Sequence, residues 1–178
     1  MKNIATFIIS LIILLGLTLS CNKNDEGKIK VLLTDDPADF TEVNVNIIEV
    51  WAHYDGDWVQ LDANTGIYDL LELQNGVTDV LADPTAIPAG KVNQVRLILG
   101  EGNYAVEEDS ITSTTTQHPL ELSSQDKTGI KINLNSEVVS NQTMVVTLDF
   151  DAGSSIVETG NGQYKLKPVI KVEEVIYI

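Results

Sequence analysis

The sequence predicts an all-β domain in which two antiparallel sheets pack face to face as a β-sandwich. From residue 27 onward, apolar residues alternate with polar ones or form β-branched runs, as strands require. Roughly nine or ten such runs are joined by short turns, and neither a strand–helix–strand rhythm nor an internal repeat interrupts them. The chain of 178 residues is long enough for one such domain. A closed β-barrel is the alternative.

The first two strands are predicted at residues 28–34 and residues 43–54. In the second of these, apolar residues alternate with asparagines up to Ile47. The next apolar residues, Ile48 and Val50, fall out of phase with that alternation. Such a one-residue slip inside a long strand predicts a β-bulge.

Residues 55–57, Asp-Gly-Asp, predict a three-residue hairpin loop whose glycine can adopt positive φ. Counting outward from that glycine, Tyr54 is expected opposite Trp58, with Trp51 opposite Leu61 on the other face of the sheet. Tyr54 and Trp58 are therefore the candidate ligand-binding aromatics, in the manner of a sugar-binding platform. The alternative is that they form part of the core or clamp the hairpin.

The remaining segments also predict strands, beginning with residues 67–73. A short helical turn is expected only within residues 75–87, ended by Pro84. Pro168 would cost a ladder hydrogen bond in a central strand, so part of the last strand segment should lie at a sheet edge. The later strands are predicted at residues 87–99, 104–108, 129–134, 143–150 and 164–175. The predicted core includes Val45, Ile47, Val95, Leu97, Leu99, Ile132, Val146, Leu148 and Phe150.

The N-terminal residues predict a signal peptide followed by a lipid anchor. Lys2 precedes an apolar run over residues 4–19, which has the length of a signal-peptide core and is short for a membrane-spanning helix. The only cysteine, Cys21, ends the sequence LTLSC, which resembles the lipobox of bacterial lipoproteins, including those of the Bacteroidetes. We expect residues 1–20 to be removed and Cys21 to be lipidated, which would hold the protein in the outer membrane or at the cell surface.

The anchor divides the chain into three parts. After the signal peptide, residues 21–27 are predicted to comprise the lipidated cysteine and a polar, flexible tether, and residues 28–178 the single β-sandwich domain. The formal net charge of −15 makes nucleic-acid binding very improbable, because such a surface repels phosphate backbones. The expected partners are the membrane, through the anchor, and an envelope protein or a glycan.

The sequence contains none of the compact catalytic motifs. The two histidines are far apart: His53 lies within a predicted strand and His118 within a predicted loop before Pro119. The stretch 110–118 that ends at His118 is expected to be an exposed loop or an edge strand. No nucleophile motif or phosphate-binding loop accompanies the two histidines. We therefore expect a non-catalytic binding or structural module. The alternative is an enzyme or enzyme subunit, for example in glycan processing, with a dispersed site around one of the histidines.

Closely spaced aspartates suggest one possible cofactor, Ca²⁺, and no other cofactor is expected. If the segment DDPAD or the segment DGD lies at the same end of the sandwich as the segment DFDAG, carboxylate oxygens could converge on the ion. The alternative is that the second pair faces water, opposite Lys165 or Lys167. The candidate ligands are Asp35, Asp36, Asp149 and Asp151.

Several blocks of the chain resemble a known family of bacterial envelope proteins. The blocks VLLTDDPADFTEVNVNIIEVWAH, LLELQNG, IPAGKVNQVRLILGEGNYAV, GIKINL and LDFDAGSSIVETGNGQYKLKPVIKV occur in the order typical of domain of unknown function 4382. The resemblance spans about residues 30–172 and implies a β-sandwich-like lipoprotein domain without an assigned activity. The segment IPAGKVNQVRL also resembles strands of transthyretin-like modules, and the predicted sandwich is accordingly of the immunoglobulin-like or transthyretin-like type.

Overall fold

The computed structural model describes residues 25–36 and 38–178, and nearly all their regular structure is β-strand. The helical elements are two short 3-10 helices, at Leu70–Leu73 and Asp126–Thr128, and the single-turn helix α1 at Ala152–Ser155. The strands are β1 (Glu26–Thr34), β2 (Glu42–Tyr54), β3 (Asp57–Gln60), β4 (Gly66–Asp69), β5 (Asp79–Pro88), β6 (Gly90–Leu99), β7 (Tyr104–Glu108), β8 (Thr115–Leu122), β9 (Ile130–Val138), β10 (Thr143–Phe150), β11 (Ile156–Glu158), β12 (Tyr164–Leu166) and β13 (Ile170–Tyr177).

The strands form two sheets with one core between them, which confirms the predicted β-sandwich. The smaller sheet has the order β13-β10-β1-β5, and the larger has the order β11-β12-β8-β7-β2-β6-β9, with β3 and β4 also paired to β2. Neither sheet of the described residues closes on itself, so the closed-barrel alternative is wrong.

Two strand pairs differ from the predicted antiparallel arrangement. β1 pairs with β10 in parallel, and β8 pairs with β12 in parallel. The partners in each pair are far apart in the chain, and a long connection can bring a strand back in either direction. Alternation of apolar residues indicates which face of the sheet a residue occupies. It does not indicate the direction of the neighbouring strand. The sequence therefore could not reveal these two pairings.

The predicted core is confirmed. All nine residues named for it are buried between the sheets. β10 lies inside the smaller sheet, between β1 and β13, and every residue from Met144 to Phe150 is buried. A strand buried on both faces has no polar side exposed to water, so burial extends to Thr147 and Asp149 as well.

The predicted β-bulge in β2 is confirmed. Ile47 pairs with Leu99 of β6, and the next residue of that strand, Ile98, pairs with Glu49. Ile48 is therefore the extra residue of the bulge, and it is 41 % exposed. Beyond the bulge, Val50 is buried. The slip therefore reverses which residues of β2 face the core, and it places the odd-numbered residues that follow on the outer surface.

The hairpin after β2 has a two-residue turn, so the predicted three-residue loop is wrong. Asp55 and Gly56 have φ values of 48° and 88°, the combination found in type I′ hairpin turns. The shorter turn moves the pairing by one residue. His53, in place of Tyr54, pairs with Trp58, and Trp51 pairs with Gln60 in place of Leu61. Trp51 and Trp58 consequently lie on the same face of the sheet.

The segment after β4 also differs from prediction. A 3-10 helix occupies Leu70–Leu73, where a strand was expected, because the Asp69 carboxylate caps it by accepting the Leu71 N–H and also accepts the Val43 N–H. The expected helical turn within residues 75–87 is replaced by β5. Pro84 is tolerated there because β5 is an edge strand and its pairing with β1 shifts register at that point.

The two ends of the described chain refine the predicted boundaries. β1 begins at Glu26, and Gly27 is buried, so these two residues belong to the domain and not to the tether. At the other end, Pro168 falls between β12 and β13, and β13 is the predicted edge strand. The predicted signal peptide and Cys21 lie outside the described residues. Within the described residues, no helix has the length and apolar character to span a membrane.

Candidate functional site

The outer surface of the larger sheet carries both tryptophans of the chain. Trp51 on β2 pairs with Arg96 on β6, and Arg96 pairs in turn with Lys131 on β9. In the next row His53 pairs with Trp58 on β3. Side chains of paired residues lie on the same face of a sheet, so these five residues form one surface. We call the surface made of Trp51, His53, Trp58, Arg96 and Lys131 the tryptophan face.

Arg96 lies at the centre of the tryptophan face and contacts both indole rings. Its Cζ atom is 4.3 Å from the ring centroid of Trp58 and 5.3 Å from that of Trp51. Lys131 Nζ is 5.9 Å from the Trp58 ring centroid. Cations at these distances are attracted by the negative face of the ring, with about 0.5–1 kcal/mol per contact at exposed sites. The contacts hold both indoles and the guanidinium in fixed relative positions.

Two polar atoms of this surface have no partner within the described part of the chain. Arg96 Nε and His53 Nδ1 are both buried and make no hydrogen bond. The other guanidinium nitrogens of Arg96 also have neither a hydrogen bond nor an ion pair to a described residue. The His53 ring lies 4.9 Å from the Trp58 ring, so the two unpaired atoms lie beside the same indole. Unpaired buried donors are rare in folded proteins because leaving them unsatisfied costs free energy.

Amide and carboxylate groups surround the aromatic residues. Gln94 Nε2 donates to Asn133 Oδ1 at 2.9 Å, and Trp51 Nε1 donates to Glu49 Oε2 at 2.7 Å. The Gln94 carbonyl and the Asn133 amide group remain for other partners. The tryptophan face thus combines flat apolar rings with donors and acceptors at their edges, an arrangement suited to an amphipathic ligand.

The structure does not bring the two predicted ligand-binding aromatics together. Trp58 belongs to the tryptophan face, whereas Tyr54 lies on the core side of the sheet. The Tyr54 ring packs against Gly90, and its hydroxyl donates to the Ala89 carbonyl at 3.2 Å. Trp51 and Arg96 were missed because the assumed hairpin loop was one residue too long. The Asp-Gly pair was the feature that could have indicated the two-residue turn.

The four aspartates proposed as metal ligands lie where the parallel strands β1 and β10 end, and two of them, Asp36 and Asp149, contact a lysine. Asp149 is 2 % exposed, and its Oδ2 atom is 2.7 Å from Lys171 Nζ. The same ammonium group is 3.2 Å from Asp36 Oδ2. The segments DDPAD and DFDAG therefore lie at the same end of the sandwich, which was the condition set for a shared site. The expectation that Asp149 faces water near Lys165 or Lys167 is wrong, because Lys171 pairs with Asp149 across β10 and β13.

The carboxyl groups of Asp35 and Asp149 are weaker acids than an ordinary aspartate, since both have a raised pKa. Burial raises the pKa of Asp35 to about 7, although the Ala152 N–H, donated to Asp35 Oδ1 at 2.8 Å, favours the ionised form. The other oxygen of Asp35, Oδ2, is buried and has no hydrogen-bond partner among the described residues. Burial likewise raises the pKa of Asp149, and Lys171 opposes this shift. Both shifts have the same cause, the transfer of a carboxylate out of water.

Ca²⁺ binding by these aspartates stays a prediction, and two contacts within the described residues bear on it. Asp151 is engaged elsewhere, since its carboxylate caps α1 by accepting the Ser154 N–H at 2.7 Å. Lys171 already supplies the positive charge between Asp36 and Asp149. Throughout residues 25–36 and 38–178, no group of three or more His, Cys, Asp or Glu side chains is placed to hold a metal ion.

The second histidine lies beside a shallow surface depression of about 220 Å³. His118 is in strand β8 and not in the predicted loop, since β8 pairs with both β7 and β12 through this region. Its Nε2 atom is 3.3 Å from Glu107 Oε2, and its ring lies 4.4 Å from the Tyr164 ring at an interplanar angle of 47°. The depression has no serine or cysteine in its lining, which is formed by His118, Pro119, Glu121, Gly162, Gln163, Tyr164 and Lys165.

Comparison with known proteins gives one match. A family model described as Domain of unknown function (DUF4382) matches residues 26–168. No curated protein and no solved structure matches the chain. The matched range includes the strands that carry Trp51, Trp58 and Arg96, and it ends before Lys171.

Proposed function

We propose that this chain, which belongs to the family of the Domain of unknown function (DUF4382), is a lipid-anchored, non-catalytic binding module of the cell envelope. We further propose that it binds a glycan chain on the tryptophan face. The observation that carries this proposal is the stack of Trp51, Arg96 and Trp58 on the outer surface of the larger sheet.

The position of the two tryptophans supports a binding role. Neither indole belongs to the buried core, although tryptophan has the largest apolar side chain and buries 150–250 Å² where it can. Both are half-buried on a sheet surface that faces away from the other sheet. Aromatic residues kept at a surface by specific contacts are enriched at binding sites, where they provide rigid contact area at a low entropy cost.

The surroundings of the indoles favour a glycan over an apolar ligand. The C–H groups of a sugar ring are attracted to the negative face of an aromatic ring, in the manner of an edge-to-face aromatic contact. Hydroxyl groups along the chain would find donors and acceptors in the Asn133 amide and the Gln94 carbonyl. An envelope protein as partner is the other possibility, and the experiment below separates the two.

The anchor part of the proposal rests on the sequence. LTLSC, with Cys21 at its end, supports a lipoprotein of the Bacteroidetes type in the outer membrane, facing the periplasm or the cell surface. Because β1 begins at Glu26, only a few residues separate the proposed lipid from the folded domain. The domain would therefore remain close to the membrane and to the glycans attached there.

The proposed lipid anchor predicts that a variant without Cys21 changes its distribution between the membrane and soluble fractions. Replacing Cys21→Ser removes the thiol that accepts the lipid, so the protein should move from the membrane fraction to the soluble fraction. Mass spectrometry of the mature wild-type N-terminus should find an acylated Cys21. Continued membrane retention of the serine variant, with an unmodified wild-type Cys21, would contradict the lipid anchor.

Binding can be tested by affinity electrophoresis in gels that contain polysaccharide extracted from the envelope of the source cells. The wild-type domain should be retarded, and Trp58→Ala should weaken binding about fivefold or more in apparent Kd, since one aromatic contact contributes about 1 kcal/mol. Ile111→Ala is the matched control, because Ile111 is 92 % exposed in the loop between β7 and β8. Equal binding by the wild type and Trp58→Ala would contradict the proposed surface, and capture of an envelope protein without any polysaccharide would contradict the ligand.

A further inference from the structure

We infer that the glycan on the tryptophan face is acidic and that Arg96 receives the carboxylate of a uronic acid residue. This inference rests on the proposed function, because it names the ligand class of the same surface. Three features of Arg96 carry it: its unpaired donors, the contact of its guanidinium with two indole rings and the charge around it.

The first feature is the absence of a partner. Arg96 is half-buried, yet its side chain forms no hydrogen bond or ion pair with any described residue, and its Nε is buried. A guanidinium has five N–H donors and keeps its charge in proteins. Partial burial of such a group is unfavourable unless an acceptor compensates it. A negatively charged ligand supplies that acceptor.

The second feature is the way the guanidinium is held. Its Cζ atom lies over the Trp51 ring at 5.3 Å and over the Trp58 ring at 4.3 Å from the centroids. These contacts engage the charge of the cation and leave its N–H donors without a hydrogen bond to a described residue. A planar fork of this kind matches a carboxylate, which it binds through two parallel hydrogen bonds.

The third feature is the local charge. The chain carries a net charge of −15, so most of its surface repels an acidic polymer. The tryptophan face differs, because Lys131 is the register neighbour of Arg96 and has no ion pair with a described residue. Glu49, in the next row of β2, accepts the Trp51 indole N–H and keeps one negative charge, against the two positive charges of Arg96 and Lys131. An anionic chain is thus attracted to this surface and repelled from the rest of the domain.

The rings next to Arg96 favour a saccharide over an acidic peptide. A uronic acid residue carries its carboxylate on the sugar ring, so one residue can place the carboxylate at Arg96 and its C–H face on an indole. In an acidic peptide, the carboxylates are on flexible side chains and no ring accompanies them. Poly-L-glutamate is therefore the appropriate comparison ligand.

The test measures binding of the full-length wild-type protein to three polyuronates: polygalacturonate, alginate and hyaluronate. Each is paired with its carboxyl-reduced, neutral form of the same backbone. At least one polyuronate should bind at least about tenfold more tightly than its neutral form, and more tightly than poly-L-glutamate. Arg96→Gln should abolish this preference, whereas Arg96→Lys, which keeps the charge without the fork, should retain part of it.

The outcomes distinguish the inference from the proposed function. Equal binding of acidic and reduced forms, with both weakened by Trp58→Ala, would overturn the inference and leave the glycan-binding face in place. Binding of poly-L-glutamate as tight as that of the polyuronates would assign the surface to an acidic peptide and overturn it as well. Failure to bind any of the polysaccharides, including extracted envelope polysaccharide, would overturn both. If Arg96→Gln does not fold, the binding of acidic and carboxyl-reduced polysaccharides to the wild-type protein still decides the result.

Discussion

Replacing Leu97→Ala should lower the free energy of unfolding by about 2–5 kcal/mol, the range measured for buried leucine-to-alanine changes. Leu97 is fully buried in β6 and faces the core between the two sheets. The loss combines the transfer free energy of the removed methyl groups with the cost of the cavity, which a core built from two sheets cannot close easily. Urea unfolding of the wild type and the variant gives the difference directly.

The adjacent residue provides the matched control. Ile98 is in the same strand but faces outward, beside Gly129, and is only half-buried. Ile98→Ala should therefore cost clearly less than Leu97→Ala. A loss below about 0.5 kcal/mol for Leu97→Ala, or a larger loss for Ile98→Ala, would mean that the faces of β6 are reversed.

Asp35→Asn should stabilise the protein at pH 8 and have almost no effect at pH 4. The pKa of Asp35 is raised to about 7 in the folded state, against 3.8 for the ordinary group. Well below pH 3.8 the carboxyl is protonated in both states. Between pH 4 and pH 7 the folded state holds a proton that the unfolded state has released, so stability from this group is lost as the pH rises. Each pKa unit corresponds to about 1.4 kcal/mol, which gives an upper value of about 4 kcal/mol.

Asparagine keeps the oxygen that accepts the Ala152 N–H but cannot ionise. Urea unfolding at pH 4, 5.5 and 8 should therefore show a difference between Asp35→Asn and wild type that grows with pH and levels off above pH 7. Asp39→Asn, at an exposed position of the same turn region, is the control. A constant difference across the three pH values would show that Asp35 ionises as easily in the folded protein as in the unfolded chain.

The sequence predicted the faces of the strands better than their partners. Val95, Leu97 and Leu99 were assigned to the core because alternation along a strand reports burial directly. The bulge at Ile48 was found for the same reason, as a break in that alternation. In contrast, the parallel pairing of β1 with β10 depends on contacts between segments far apart in the chain, and alternation carries no information on them.

Prediction of the candidate site from the sequence depended on the length of one hairpin turn. Asp55 adopts a φ of 48°, which aspartate tolerates better than most residues, and this makes the hairpin turn two residues long. A loop one residue longer would have separated Trp51 from Trp58. The partner of Asp149 was missed for a different reason: Lys171 is brought opposite it only by the pairing of β10 with β13.

The most direct test of the tryptophan face uses the fluorescence of the protein itself. The chain has two tryptophans, and both belong to this surface, so all of its indole emission reports on the proposed site. Acrylamide quenching should be measured with and without a saturating amount of the envelope polysaccharide that retards the protein in gels. We expect the ligand to cover Trp51 and Trp58 and to reduce the Stern–Volmer quenching constant. A bound polysaccharide that leaves both the emission and its quenching unchanged would contradict binding at the tryptophan face.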